Sequence, residues 1–123
     1  MPVYQLRIKL RGMSPPVWRR IVIDAEASLA NLHEVIQRSM GWEDEHQHRF
    51  MIRGRCFNLP QPGGVYYGGA QLKLSAFGFR AHERFVYEYD FCSHWVHDVR
   101  IERLLDACDG AQCLPRCLAG AGA

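Results

Sequence analysis

The sequence is short of most features that announce an activity. No apolar run approaches the roughly 20 residues that a membrane-crossing helix needs. No basic-then-apolar segment opens the chain in the manner of an export signal. The expected compartment is therefore the cytoplasm, and no membrane partner is expected. The formal net charge is only +2, too small to argue for nucleic acid by bulk electrostatics. There is no phosphate-cradling loop, because Gly63-Gly64 and Gly68-Gly69 flank Tyr66-Tyr67 and lead into no capped helix. The five cysteines are an odd number without tight pairs. Cys108, Cys113 and Cys117 are spaced too loosely for a closed zinc site, which wants four ligands, and reduced thiols are expected. The nearest thing to a nucleophile is Cys92, two residues before His94. Adjacency in sequence does not supply the geometry that a catalytic thiol requires.

What is present is an ordinary globular composition. The 123 residues are 48% hydrophobic and 23% charged, enough for a core without covalent staples. The expected organisation is a single domain over residues 1–118 with a flexible Ala/Gly tail at 119–123. Tyr4, Leu6, Ile8 and Leu10 alternate with polar residues, the mark of a half-buried strand. Pro15 and Pro16 break it, and Val17 to Ile23 reads as a second strand, antiparallel to the first. Ser28 is placed to cap a helix in which Leu29, Leu32, Val35, Ile36 and Met40 recur at helical spacing, with Asn31, Glu34, Gln37 and Arg38 on the other side. Gly41 ends it, and Trp42 is positioned to fold back on its last turn.

His46 to Arg53 reads as a third strand, with His46, His48, Phe50 and Ile52 on one face. Residues 58–70 form a loop. Phe85, Tyr87, Tyr89 and Phe91 form a fourth strand, and Trp95, His97, Val99 and Ile101 a fifth, joined as a hairpin. A short helix is expected from Leu104 to Cys108. The predicted fold is α+β: a mainly antiparallel or mixed five-stranded sheet, in the order β-β-α-β-β-β, with one main helix packed on a face. Its second face is expected to need cover by a partner chain or the C-terminal segment, because the aromatic rows are too apolar to leave wet.

Eight residues are candidates for binding: Trp18, Arg19, Arg20, His46, His48, Asp90, Trp95 and His97. Trp18-Arg19-Arg20 sets an aromatic beside two fixed cations, which can hold a phosphate or carboxylate or simply stack and pair within the fold. His46, His48 and His97 share faces with apolar neighbours. If their strands are close, the rings meet either as a metal site with Asp90 or as a hydrogen-bonded cluster that fixes strand order. The cluster is the favoured reading, and neither metal ligand nor cofactor is assigned. A second basic group, Arg49, Arg53 and Arg55, joins Arg19 and Arg20 as a candidate patch.

Several blocks carry a family resemblance: Pro16-Val17-Trp18-Arg19-Arg20; Leu32-His33-Glu34-Val35-Ile36-Gln37; Gly41-Trp42 followed by His46-Gln47-His48-Arg49-Phe50; and Tyr87-Glu88-Tyr89-Asp90-Phe91 with Trp95 and His97. In order and spacing they resemble the plasmid pRi ORF-three-like family, whose members include proteins labelled as transposon passengers. The resemblance covers roughly residues 3–118. It implies a small uncharacterised protein of plasmids or mobile elements and no defined mechanism. Where the family tends to have Gly-Asp after the Tyr-Asp-Phe block, this chain has Cys92 and Ser93. Where the family continues with a Pro-Pro-Glu-Asp-like segment, this chain has Ala and Gly. The functional expectation is a non-catalytic binding or interaction module, which leans against an enzyme. Two alternatives stand beside it: a metal-dependent enzyme using the histidines, and a nucleic-acid accessory protein using the tryptophan and arginines.

Overall fold

A computed structural model describes residues 2–60, 63–106 and 115–122 of the chain. Its elements are β1 (Pro2–Leu10), β2 (Val17–Asp24), α1 (Leu29–Met40), β3 (His48–Ile52), β4 (Arg55–Phe57), a single 3₁₀ turn (Leu74–Phe77), β5 (Arg84–Tyr89), β6 (Trp95–Asp106) and β7 (Arg116–Ala121). The strands form one sheet of seven in the order β4-β3-β5-β6-β1-β2-β7, and neighbours in it run antiparallel.

The α+β class is close, but five strands is corrected to seven. The two missing strands lack a side-chain signal. β4 is only three residues long, too short to show alternation, and it follows a tight turn in which Arg53 and Gly54 both take positive φ (51° and 79°). β7 is built partly of Ala119, Gly120 and Ala121, which the sequence reading assigned to the tail; they pair with Arg20, Arg19 and Trp18 of β2. Backbone pairing rather than β-propensity holds them. Leu104 and Leu105, expected to begin a helix, instead continue β6 along β1. Cys108 and Cys113 lie outside the described residues.

Pairing register explains which residues meet. Leu10 lies opposite Val17, Leu6 opposite Ile21, and Tyr4 opposite Ile23. Phe85 lies opposite Val99, and Tyr87 opposite His97. These residues share the face that α1 covers. Ser28 starts the helix: its Oγ accepts from the N–H of Asn31 at 3.1 Å, and Asn31 Oδ1 accepts from the N–H of Ser28 at 3.0 Å. Leu32, Ile36, Phe50, Tyr89 and Val99 belong to one buried core, as the periodicities predicted. Gln37 departs from the reading: it is buried, on the sheet side of the helix.

The aromatic row therefore needs no second cover, since it lies on the helix side. The outer face carries the other parity: Arg7, Lys9, Trp18, Arg20, Arg84, Glu88, Asp98 and Arg100. Among the described residues, no helix is long and apolar enough to cross a membrane.

Candidate functional site

The helix ends at Gly41, whose φ of 77° lies in the left-handed region that glycine enters freely. This turn throws Trp42 onto the sheet. The indole lies 5.5 Å from the Tyr89 ring and 5.6 Å from that of Trp95. Its Nε1–H donates to His97 Nε2 at 3.4 Å. His97 Nε2 is thereby an acceptor, so the proton sits on Nδ1 and points to the Tyr87 carbonyl at 3.2 Å. Burial pushes the His97 imidazole down to about 4, so it is neutral at physiological pH.

Two hollows open beside this pair of tryptophans, and both are bordered by Trp42 and Trp95. One is an apolar well of about 360 Å³ floored by Leu10, Met13, Pro15, Val17 and Met40. The other is a polar well of about 210 Å³ edged by Glu43, Glu45, His46 and Asp90. The wells lie where three connections converge: β1–β2, α1–β3 and the β5–β6 turn. Three non-glycine residues there hold positive φ: Asp44 (55°), Asp90 (57°) and His94 (56°). Such conformations cost energy and persist where the surroundings over-determine them. Asp90 Oδ1 accepts from the N–H groups of Cys92 (3.2 Å) and Ser93 (3.4 Å). Desolvation raises the Asp90 carboxyl, but these backbone donors and His46 outweigh it and hold it below the usual carboxylate range. Tyr89 Oη accepts from the N–H of Glu45 at 2.9 Å and so pins the acidic loop.

Behind the cleft lies a closed polar ring under the helix. His33 Nε2 meets Asp44 Oδ1 at 2.8 Å, and His33 Nδ1 meets Tyr87 Oη at 2.7 Å. Gln37 Nε2 donates to the same Tyr87 oxygen at 2.8 Å, and Gln37 Oε1 accepts from the N–H of Asp44 at 2.8 Å. Asp44 only accepts at its carboxylate, so His33 carries its proton on Nε2 and takes the Tyr87 hydroxyl proton on Nδ1. Every donor then has one acceptor. Burial lowers the His33 imidazole against the opposing pull of Asp44, and it raises the Tyr87 phenol. Burial and the neighbouring His33 bring His48 down to about 3.

The eight predicted residues do not form one site. Trp95 and Asp90 border the cleft with His46. His46 is exposed, with Nε2 3.8 Å from Asp90 Oδ2. His48 and His97 flank Tyr87 from opposite sides, their ring centroids 5.9 and 5.3 Å from its own. The expected meeting of His46, His48 and His97 is thus divided: β3 begins only at His48, and His46 belongs to the preceding loop. Arg19 faces the helix side, where Nε donates to the Ser39 carbonyl at 2.8 Å. Trp18 and Arg20 occupy the outer face, and Arg20 grips Glu102 through Nε (2.7 Å) and Nη2 (3.0 Å). The proposed Arg49–Arg53–Arg55 patch is dispersed, with Arg49 on Glu88 and Arg53 on Glu83. His94, weighed as partner to a Cys92 nucleophile, instead binds Glu88 at 2.6 Å.

Trp42, His33, Gln37 and Asp44 were missed as functional candidates. A signal existed for two of them: His33 and Gln37 are four apart, beside the apolar stripe of Leu29, Ile36 and Met40, so both fall at its inner margin. His33, Asp44 and His48 also bring potential metal-ligating atoms within 4.8 Å of one another. The His33 and His48 rings are stacked nearly parallel, at 13°. Their in-plane lone pairs therefore do not converge on a shared ion without rotation of one ring.

A family model described as Plasmid pRiA4b ORF-3-like protein matches residues 2–123. A curated relative, the uncharacterized protein y4hQ of Sinorhizobium fredii, is 35% identical over 108 residues, which is 85% of this chain and 56% of the relative. The chain thus spans little more than half the length of that relative. The crystal structure of a protein of unknown function, MM3350 from Methanosarcina mazei Go1, is similar with a TM-score of 0.82 and 33% identity, covering 97% of this chain and 69% of that one.

Proposed function

Since the chain belongs to the Plasmid pRiA4b ORF-3-like protein family, we propose that it is a non-catalytic binding module of a plasmid or mobile element, at work in the cytoplasm, whose ligand is an apolar group carrying a positive charge. One observation carries this reading. An apolar well and a carboxylate-edged well lie side by side, with Trp42 and Trp95 bordering both. Apolar hollows with a few convergent polar groups are where small ligands and anchoring side chains bind. Aromatic rings next to carboxylates favour cations.

The ligand chemistry has two sources, a free arylalkyl amine or a basic-aromatic segment of a protein. Both are tested by the fluorescence of Trp42 and Trp95 in a Trp18→Phe background. Phenethylamine and a short Lys-Phe peptide should each change the emission saturably, while phenylpropionate at the same concentration should not. Response to the amine alone assigns a small molecule; a markedly tighter response to the peptide assigns a protein partner. Equal response to the carboxylate, or no response to either cation, refutes the reading. Trp42→Ala and Glu45→Gln should each weaken the response.

A further inference from the structure

We propose that the outer face of the sheet binds the phosphate backbone of single-stranded nucleic acid, through a row of arginines that crosses four adjacent strands. The register places Arg84 of β5 opposite Arg100 of β6, Arg100 opposite Arg7 of β1, and Arg7 opposite Arg20 of β2. Strands are about 4.8 Å apart, so the row spans about 14 Å. Like charges directly opposite one another destabilise a sheet, and three successive pairings of that kind require a use or a compensation.

Compensation is incomplete. Arg20 is matched by Glu102. Arg11, beside the row, is matched by Asp98 at 2.6 Å. Arg7 forms no direct ion pair among the described residues, although Glu102 feels its charge, and it rests on the Trp18 ring, 5.0 Å from its centroid. Among the described residues Arg100 has only the ring nitrogen of His82, at 2.8 Å, and its Nε is buried with no hydrogen-bond partner there. Arg84 and Lys9 are exposed and form no ion pair among the described residues. These cations line one open groove of about 400 Å³, in which Arg7, Lys9, Arg11, Arg84 and Arg100 face a single carboxylate, Asp98.

The charge of the groove selects a polyanion, and the guanidinium fork suits phosphate oxygens. The shape selects a single strand. Reading a duplex calls for a helix or ribbon projecting into a groove, whereas a single strand lies across a flat basic surface with an aromatic beside it. Trp18 supplies that aromatic, with the guanidiniums of Arg7 and Arg20 5.0 and 5.2 Å from its ring centroid. This surface is opposite to the helix-covered face and independent of the tryptophan cleft.

The test is fluorescence anisotropy of a labelled oligothymidylate against salt concentration, with a duplex and a polyglutamate as competitors. The single strand should bind at low salt and resist both competitors. Arg84→Gln and Lys9→Gln, exposed changes that should not lower the melting temperature, should each reduce the log–log salt slope by about 0.7. Arg38→Gln on the helix side should leave it unchanged. No binding at low salt, tighter binding of duplex or polyglutamate, or an unaltered slope in both groove variants overturns the proposal.

Discussion

The imidazole of His33 lies flat on that of His48, ring centroids 3.6 Å apart, although one residue comes from the helix and the other from β3. Two neutral rings can stack in this way; two imidazolium ions could not. The contact joins the hydrogen-bonded ring of His33, Asp44, Gln37 and Tyr87 to the aromatic core, because His48 also meets Phe50 edge-on at 84°.

Tyr87→Phe removes the hydroxyl at the centre of that ring while keeping its packing. The Gln37 amide and His33 Nδ1 each lose a partner at 2.8 and 2.7 Å. Stability should fall by about 1–3 kcal/mol. A urea midpoint equal to that of the parent would show that the network contributes nothing.

Stability should also fall as pH drops from 7 to 5. Unfolded, each imidazole takes up its proton near about 6.5. Folded, His48 does so only at about 3 and His97 at about 4. The unfolded chain binds more protons between those limits, so the stabilisation is complete above the unfolded value and is lost on acidification. Each histidine contributes up to about 2 kcal/mol of loss between pH 6.5 and 5. Denaturation midpoints across this range should decline, and more shallowly in His48→Phe, which can still stack. A flat profile would contradict the assignment.

Added Zn²⁺, Mn²⁺ or Ni²⁺ should leave the melting temperature unchanged. An ion bound to the native state would raise it by mass action. The stacked His33 and His48 rings would have to separate to share one with Asp44. A metal-dependent rise that disappears in His33→Ala would restore the metal-enzyme alternative.

Leu32→Ala and Ile36→Ala should each cost about 2–5 kcal/mol, since both side chains are fully buried beneath the helix. Differential scanning calorimetry measures this directly. Arg84→Thr should do the opposite, raising stability by about 0.2–1 kcal/mol by relieving its pairing with Arg100, and a lower melting temperature would show that the arginine row is not strained.

Where burial writes a period into the residues, the sequence discloses the structure. Tyr4 to Leu10 and Phe85 to Tyr89 alternate because one face is wet, and the helix is bounded by a side-chain cap at Ser28 and a left-handed glycine at Gly41. β4 and β7 escaped because three residues show no period and Ala-Gly-Ala carries no propensity. His46 and His48 were given one parity because nothing in the sequence reveals that the chain is still turning at Asp44. The arginine row was hidden for a different reason. The parity of Arg7, Arg20 and Arg100 can be read from alternation, but their alignment depends on β6 lying between β5 and β1, which is a long-range fact.

The central position of β6 has a consequence for how this protein can vary. Trp95, His97, Val99 and Ile101 look toward the helix, and Asp98 and Arg100 toward the groove. One strand is thus printed on both sides, with two texts interleaved letter by letter. Insertion or deletion of a single residue within it would exchange them, burying guanidinium and exposing aliphatic carbon. Substitution at alternate positions can rewrite either text and leave the other intact. The lining of the tryptophan cleft and the charge of the groove can therefore diverge separately between relatives, provided that the length of this strand stays the same.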